Sequence, residues 1–183
     1  MAGIVLALDI ATKTGFAHDS PEDGRPLTGV FRAPAPEGDA EDGWEFGRTF
    51  AGYRRWLVGL IGMVKPATVA FEAPLQIVQG NRSKVRTNQN TIRILFGLAA
   101  ITEMVIAEAG VRPYEANVMT VKRHFAGSGH ADKAAMKARC RQLGWQIVDD
   151  NAADAAALWA YMKALEDPKW APRSTPLFAR VSA

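Results

Sequence analysis

Two acids stand at the ends of short apolar runs: Asp9 closes Gly3–Asp9 and Glu72 closes Ala67–Glu72. Runs of this continuity read as strands buried on both faces. In α/β sheets, binding sites collect at the carboxyl ends of strands. If both strands are central and parallel, the two carboxylates lie side by side. A further group, Asp149, Asp150, Asn151 and Asp154, opens the last helix. The Asn151–Asp154 and Asp150–Asp154 spacings each put both side chains on one helix face. Adjacent carboxylates resist joint ionisation, so such a set is costly without a cation. Hard oxygen donors with no Cys or obvious His partner suit Mg²⁺ or Mn²⁺. Taken singly, an Asp after a strand is a turn residue, and Asp150 is an N-cap and helix-dipole partner. Taken jointly, the acids favour the metal reading. His18, His124 and His130 are expected to be structural or solvent-facing, and Trp145 and Trp159 to be packing residues.

The rest of the composition bounds the setting. With 183 residues, 48% hydrophobic and 22% charged, the chain fits one ordinary globular domain. The single Cys140 excludes an internal disulfide and a multi-thiolate zinc site. No apolar run approaches the ~18 residues that a membrane span needs. No basic segment precedes Ile4–Leu8, so a signal peptide is not expected; the expected compartment is the reducing cytoplasm. The net charge of +3 is too small to name a partner, but it is unevenly distributed. Residues 73–102 carry Arg82, Lys84, Arg86 and Arg93 with no acid, and residues 116–148 are net +5. Residues 1–72 are net −3. Blocked cations suggest a polyanion track, although solvated helix faces give the same pattern.

The elements that must position these residues follow from periodicity. Gly3–Asp9, Gly15–Asp19 and Leu27–Arg32 read as an antiparallel meander. Trp44–Val64 has apolar residues at helical spacing, with glycines that suit close approach to a sheet. Ala67–Glu72 and Val111–Tyr114 are further strands, and Asn88–Ala109 is the strongest helix. Its apolar residues occupy more than one side, so a second cover is expected beyond the sheet, a partner subunit being the simplest. Asn117 and Asp132 are expected to cap helices through Phe125 and over Lys133–Leu143. Ile147 and Val148 suggest a small extended piece, and Asn151–Leu165 an Ala-rich helix. The sum is an α/β fold, a five-stranded mixed sheet flanked by helices on both faces, over residues 1–166. A Pro-rich C-terminal tail follows at 167–183.

Several of these segments resemble RuvC-type Holliday junction resolvases. Ile4-Val-Leu-Ala-Leu-Asp-Ile-Ala-Thr-Lys-Thr-Gly-Phe-Ala17 looks like that family's first-strand motif, and Val69-Ala-Phe-Glu-Ala73 its second. Asn151-Ala-Ala-Asp-Ala-Ala-Ala157 resembles the start of its final helix. Glu115–Lys133 resembles its short helix, Gly-containing loop and basic helix. The resemblance covers most of residues 3–165 in order. Two positions depart from it. Asn151 stands where the family usually has an acid or His, and Leu75 where bacterial relatives often carry a DNA-stacking aromatic.

The resemblance implies an RNase H-like fold and a homodimeric, structure-selective endodeoxyribonuclease for four-way or other branched DNA. It further implies two Mg²⁺ ions per site, with Mn²⁺ able to substitute, lying ~3.5–4 Å apart in such centres. Asp9 would bridge them, Glu72 and Asp154 would each hold one, and Asn151 or Asp150 would complete the set. Lys133 and Lys122 would hold phosphates near the scissile bond. Arg82, Lys84 and Arg86, with Arg123 and Lys137, would contact DNA, and Gln76 and Gln79, in the polar loop Pro74–Lys84, could also touch it. Helix 88–109 is the implied dimer interface. Two other readings stay open: an RNase H-like nuclease acting on RNA or on phage replication or packaging intermediates, and a non-catalytic branched-DNA binding protein. An actin-like kinase or ATPase is discounted, because the chain has no room for two duplicated domains.

Overall fold

A computed structural model describes residues 3–21, 24–34, 45–72, 89–171 and 175. Strand β1 (Val5–Asp9) turns through Ala11 and Thr12 into β2 (Lys13–Asp19), which returns as β3 (Pro26–Arg32). Helix α1 (Glu45–Val64) leads to β4 (Thr68–Glu72), and α2 (Gln89–Glu108) to β5 (Arg112–Ala116). Three helices follow: α3 (Val118–Ala126), α4 (Lys133–Gln142) and α5 (Asp150–Glu166), then a 3₁₀ turn at Pro168–Trp170. The sheet order is β3-β2-β1-β4-β5. β1 pairs antiparallel with β2 and parallel with β4, and β5 is parallel to β4. The expected five-stranded mixed sheet with helices on both faces is what forms.

Alternation along the strands divides the core in two. Leu6 and Leu8 of β1 and Val69 and Phe71 of β4 pack with α1 and α2 around Tyr53, Leu57, Leu98 and Ile106. Val5, Ala7, Ala17 and Ala70 face the other way, onto α5 and its neighbours α3 and α4. The side chains facing α5 are small on both sides, Ala against Ala153, Ala156, Ala157 and Ala160, all fully buried. A helix with so little bulk settles close to the sheet, which fixes its height above β1.

Small residues were expected to bring α1, not α5, close to the sheet. Gly59 and Gly62 instead have open space where a side chain would stand. The packing face of α1 is built from Tyr53, Leu57, Leu60 and Ile61, so those glycines play no part in close approach. The extended piece expected at Ile147–Val148 is irregular; beside it the Gln146 carbonyl accepts from the Thr28 hydroxyl of β3 at 3.3 Å. The caps follow expectation: Asn117 accepts from Thr120 N at 3.1 Å and Asp132 from Ala135 N at 2.8 Å. The cap of α5 is Asp149, not Asp150.

Helix α2 corrects one further expectation. By length and composition it is long and apolar enough to cross a membrane, where no such run was expected. The core helix of a folded domain meets the same test, and Leu98, Ala99, Val105 and Ile106 of α2 are buried here. Phe96 and Met104 lie outward, 47% and 42% exposed. At the C-terminal end, Trp170 packs edge-on against Trp159 at 5.3 Å, and Thr175 is buried within reach of the His124 ring.

Candidate active site

Asp9 is the last residue of β1 and Glu72 the last of β4, and the parallel register pairs Leu8 with Phe71 one residue earlier. The two acids therefore leave adjacent strands at the same level. Side-chain alternation puts Asp9 on the face of Val5 and Ala7, and Glu72 on the face of Ala70. That is the face α5 covers. Asp154 stands one turn into α5, above both strand ends, and adds its charge to the field at each of them.

The electrostatics show how close the convergence is. Burial, then the charges of Glu72 and Asp154, push the Asp9 carboxyl up to about 8, against a pull from Lys133. Burial and Asp154 push Glu72 up to about 7, against Lys122. Asp154 is also raised, by burial, with Lys122 and Lys133 opposing. Three half-buried carboxylates thus share one region and two ammonium groups flank it. Among the described residues no three His, Cys, Asp or Glu side chains are drawn together into a closed cation cage. The acids meet as a field rather than as a finished coordination shell. The donor set nonetheless fits a hard divalent cation, which would relieve repulsion that the lysines only partly offset.

Both lysines come from the segment after β5. Lys122 lies on α3, whose end is set by Gly127 in the left-handed region at φ 82°. Its ammonium donates to Ala131 O at 3.1 Å, tying α3 to the start of α4. Lys133 is the first residue of α4 and approaches Asp150 Oδ2 at 3.6 Å; Lys137, one turn on, holds Asp150 Oδ1 at 2.6 Å. The bond to Lys137 keeps the partly exposed Asp150 carboxyl below its ordinary value.

Asn151 turns elsewhere. Its Nδ2 donates to the backbone carbonyl of Lys13 on β2. Asp149 accepts from Ala152 N at 2.9 Å and pairs with the Lys13 ammonium. Burial pushes the Asp149 carboxyl up, but Lys13 and the helix amides bring it below its ordinary value overall. Of the expected set, the structure brings together Asp9, Glu72, Asp154, Lys122 and Lys133. Asp150 and Asn151 border the site with other partners. Arg123 is exposed on α3. Arg82, Lys84, Arg86, Leu75, Gln76 and Gln79 lie outside the described residues.

Sequence reasoning missed Lys13 and Gly15, whose roles depend on the contact between β2 and α5. It also missed that Cys140 is buried on α4 near Asp154. Burial, then that acid, push the thiol up to about 12, so it is an inert packing group. The histidines and tryptophans behave as packing or surface groups. His18 stacks on Phe16, Trp145 on Phe125, and His130 is exposed.

No protein-family model and no curated protein matches the chain. Solved structures do. The chain is similar to Thermus thermophilus RuvC, with TM-score 0.60 and 22% identity over 88% of this chain and 95% of that one. It is similar to the same protein in complex with a Holliday junction substrate, with TM-score 0.65 and 21% identity over 88% and 94%. The yeast mitochondrial Holliday junction resolvase also aligns, with TM-score 0.54 and 13% identity over 92% and 79%.

Proposed function

With the RNase H-like fold of the RuvC resolvases as the premise, we propose that this protein is a metal-dependent endonuclease that resolves four-way or other branched DNA junctions. The observation that carries the reading is the meeting of Asp9, Glu72 and Asp154 on one sheet face, each raised in pKa, with Lys122 and Lys133 beside them. The likeness of 88–92% of the chain to resolvases supports the substrate class.

In this reading Asp9, Glu72 and Asp154 would hold Mg²⁺ or Mn²⁺, two ions per site. Bound there, the cations supply an activated water and charge for the departing 3′ oxygen. The chain's own residues do the rest. Lys122 and Lys133, beside the acids, would hold the phosphate next to the cleaved bond. Arg123 and Lys137, with the basic residues of 82–86, extend the contact along the backbone. Phosphate contacts carry no direct sequence information, so recognition is of branch shape, with strong salt dependence. Two copies joined through the outward side of α2, around Phe96 and Met104, would cut opposed strands symmetrically.

The test is incubation with labelled four-way, three-way, flap and linear duplexes in Mg²⁺ and Mn²⁺. Symmetric, ligatable nicks near the four-way branch are expected. Cleavage of an RNA hairpin but not of a junction would overturn the DNA assignment, and tight junction binding with no cleavage in either metal would overturn the enzymatic one.

A further inference from the structure

Three features fasten the start of α5 to the β1–β2 hairpin. The Asn151 amide donates to the Lys13 carbonyl. The Lys13 ammonium reaches back to Asp149, the cap of α5. Gly15 faces the helix with no side chain, and a methyl group there would collide with the backbone carbonyl of Asn151. Gly15 is also the β2 partner of Asp9 in the sheet register. The fastening therefore lies directly across the strand pair from the first acid, and one helical turn before Asp154.

We infer that Asn151 is a positioning residue and not a metal ligand: it locks α5 against β2 at the height that brings Asp154 over Asp9 and Glu72. The chemistry of the amide supports this. The lock needs a donor, because its partner is a carbonyl oxygen. A carboxylate at this position has no proton to give, so an acid suited to cation binding could not make the bond. Asn supplies the donor without adding another negative charge to a crowded field. Gly15 is the complementary half, since only a residue without Cβ lets the helix backbone come so near. The inference rests on the nuclease reading for what Asp154 does, but the lock itself is a property of the metal-free protein.

The experiment compares Asn151→Ala and Asn151→Asp with the parent protein by two measurements. One is thermal melting in EDTA, and the other is calorimetric titration with Mn²⁺. Loss of one partly buried hydrogen bond in a domain of this size is expected to lower Tm by about 2–4 °C in both variants. Mn²⁺ affinity is expected to fall several-fold in both, because Asp154 loses its fixed height. Tighter Mn²⁺ binding by Asn151→Asp, or weaker binding by Asn151→Ala with unchanged melting in EDTA, would make Asn151 a ligand and overturn the inference. Lower melting with unchanged Mn²⁺ affinity would leave a structural bond only, and overturn it too. Gly15→Ala is expected to act in the same direction more strongly; if it does not fold, the Asn151 pair still decides. If the parent protein binds no Mn²⁺, the metal centre fails and the positioning role fails with it, whereas melting in EDTA still reports whether the bond exists.

Discussion

The two ends of the sheet treat their carboxylates in opposite ways. At the N-terminal end of β1, Asp19 Oδ1 meets the Lys163 ammonium at 2.6 Å and Oδ2 accepts the Val5 backbone N–H at 2.7 Å. Nearby, Glu166 lies 3.5 Å from the Thr68 hydroxyl and 3.7 Å from Arg112. Asp19 is answered at both oxygens; Glu166 has Arg112 and Thr68 at Oε1, while its buried Oε2 has no hydrogen-bond partner among the described residues. At the C-terminal end, burial raises Asp9, Glu72 and Asp154; Asp154 adds to the rise at the other two and Glu72 to that at Asp9, while Lys122 and Lys133 oppose it only in part. Helix α5 runs between the ends, with Asp154 near its start and Lys163 near its finish. One helix thus completes a satisfied ion pair at one end and an unsatisfied acid group at the other. Burial is common to both ends; what separates structural acid from candidate catalytic acid is whether the charge is answered within the chain.

The sharpest way to break this contrast is to neutralise one acid at each end. Asp9→Asn or Glu72→Gln is expected to abolish junction cleavage, since each removes a carboxylate that would hold the cation, while junction binding in Ca²⁺ persists. Neither should destabilise the metal-free protein, since each removes repulsion. Lys163→Met at the other end is expected to cost on the order of 3 kcal/mol of stability, because it strands a partly buried Asp19 without its partner. Urea unfolding and a nicking assay measure the two axes separately. A destabilised Asp9→Asn with a stable Lys163→Met would reverse the assignment of the ends.

Next in size is the pair of lysines. Lys133→Met and Lys122→Met are each expected to slow cleavage by about 10–10²-fold and to reduce the salt slope of junction binding by about one. Filter binding across a salt series gives the slope and single-turnover kinetics the rate. Lys169→Met, on the exposed 3₁₀ turn, is the control expected to change neither.

Much of this arrangement was legible in the sequence, for a physical reason. A run such as Val5–Asp9 that is apolar at every position has to be covered on both sides, so its place at the centre of a sheet and the exit of its terminal acid follow from local pattern. The caps Asn117 and Asp132 are equally local. Asp150 was harder, because helical spacing admits it to the face of Asp154 but does not say which neighbour it prefers. Lys133 and Lys137 decide that, and they arrive from another helix. Gly15 and Asn151 were illegible as a pair: 136 positions separate them, and nothing short of the folded contact shows that one accommodates the other. Repeated Gly in α1 pointed to close packing that Ala in α5 performs instead.

The contrast also predicts how metal-free stability depends on pH. Asp9 at about 8 and Glu72 at about 7 both lie above their unfolded values. Between the unfolded and folded values the native state binds more protons than the unfolded chain, so stability falls as pH rises through that window. Melting in EDTA is expected to drop from pH 5 to pH 9, and the drop is expected to be shallower in Asp9→Asn. Saturating Mg²⁺ is expected to offset it, since the cation replaces the proton. Metal affinity, by the same competition, rises with pH up to about 8. A flat melting profile in EDTA would mean that the acids are answered after all, and would erase the difference between the two ends.

The smallest expected effect sits between these cases. Asp150 is an acid at the site margin whose charge is answered, by Lys137 at 2.6 Å and Lys133 at 3.6 Å. If being answered is what separates the two kinds of acid, Asp150 belongs with Asp19 despite standing a turn from Asp154. Asp150→Asn is then expected to leave Mn²⁺ affinity within about twofold and to slow cleavage only a few-fold, through a freer Lys133. Solvent screens pairs at the surface, so melting should barely move. A tenfold loss of Mn²⁺ affinity would place Asp150 among the ligands, and would show that nearness to Asp154, rather than an unanswered charge, marks the acids of this site.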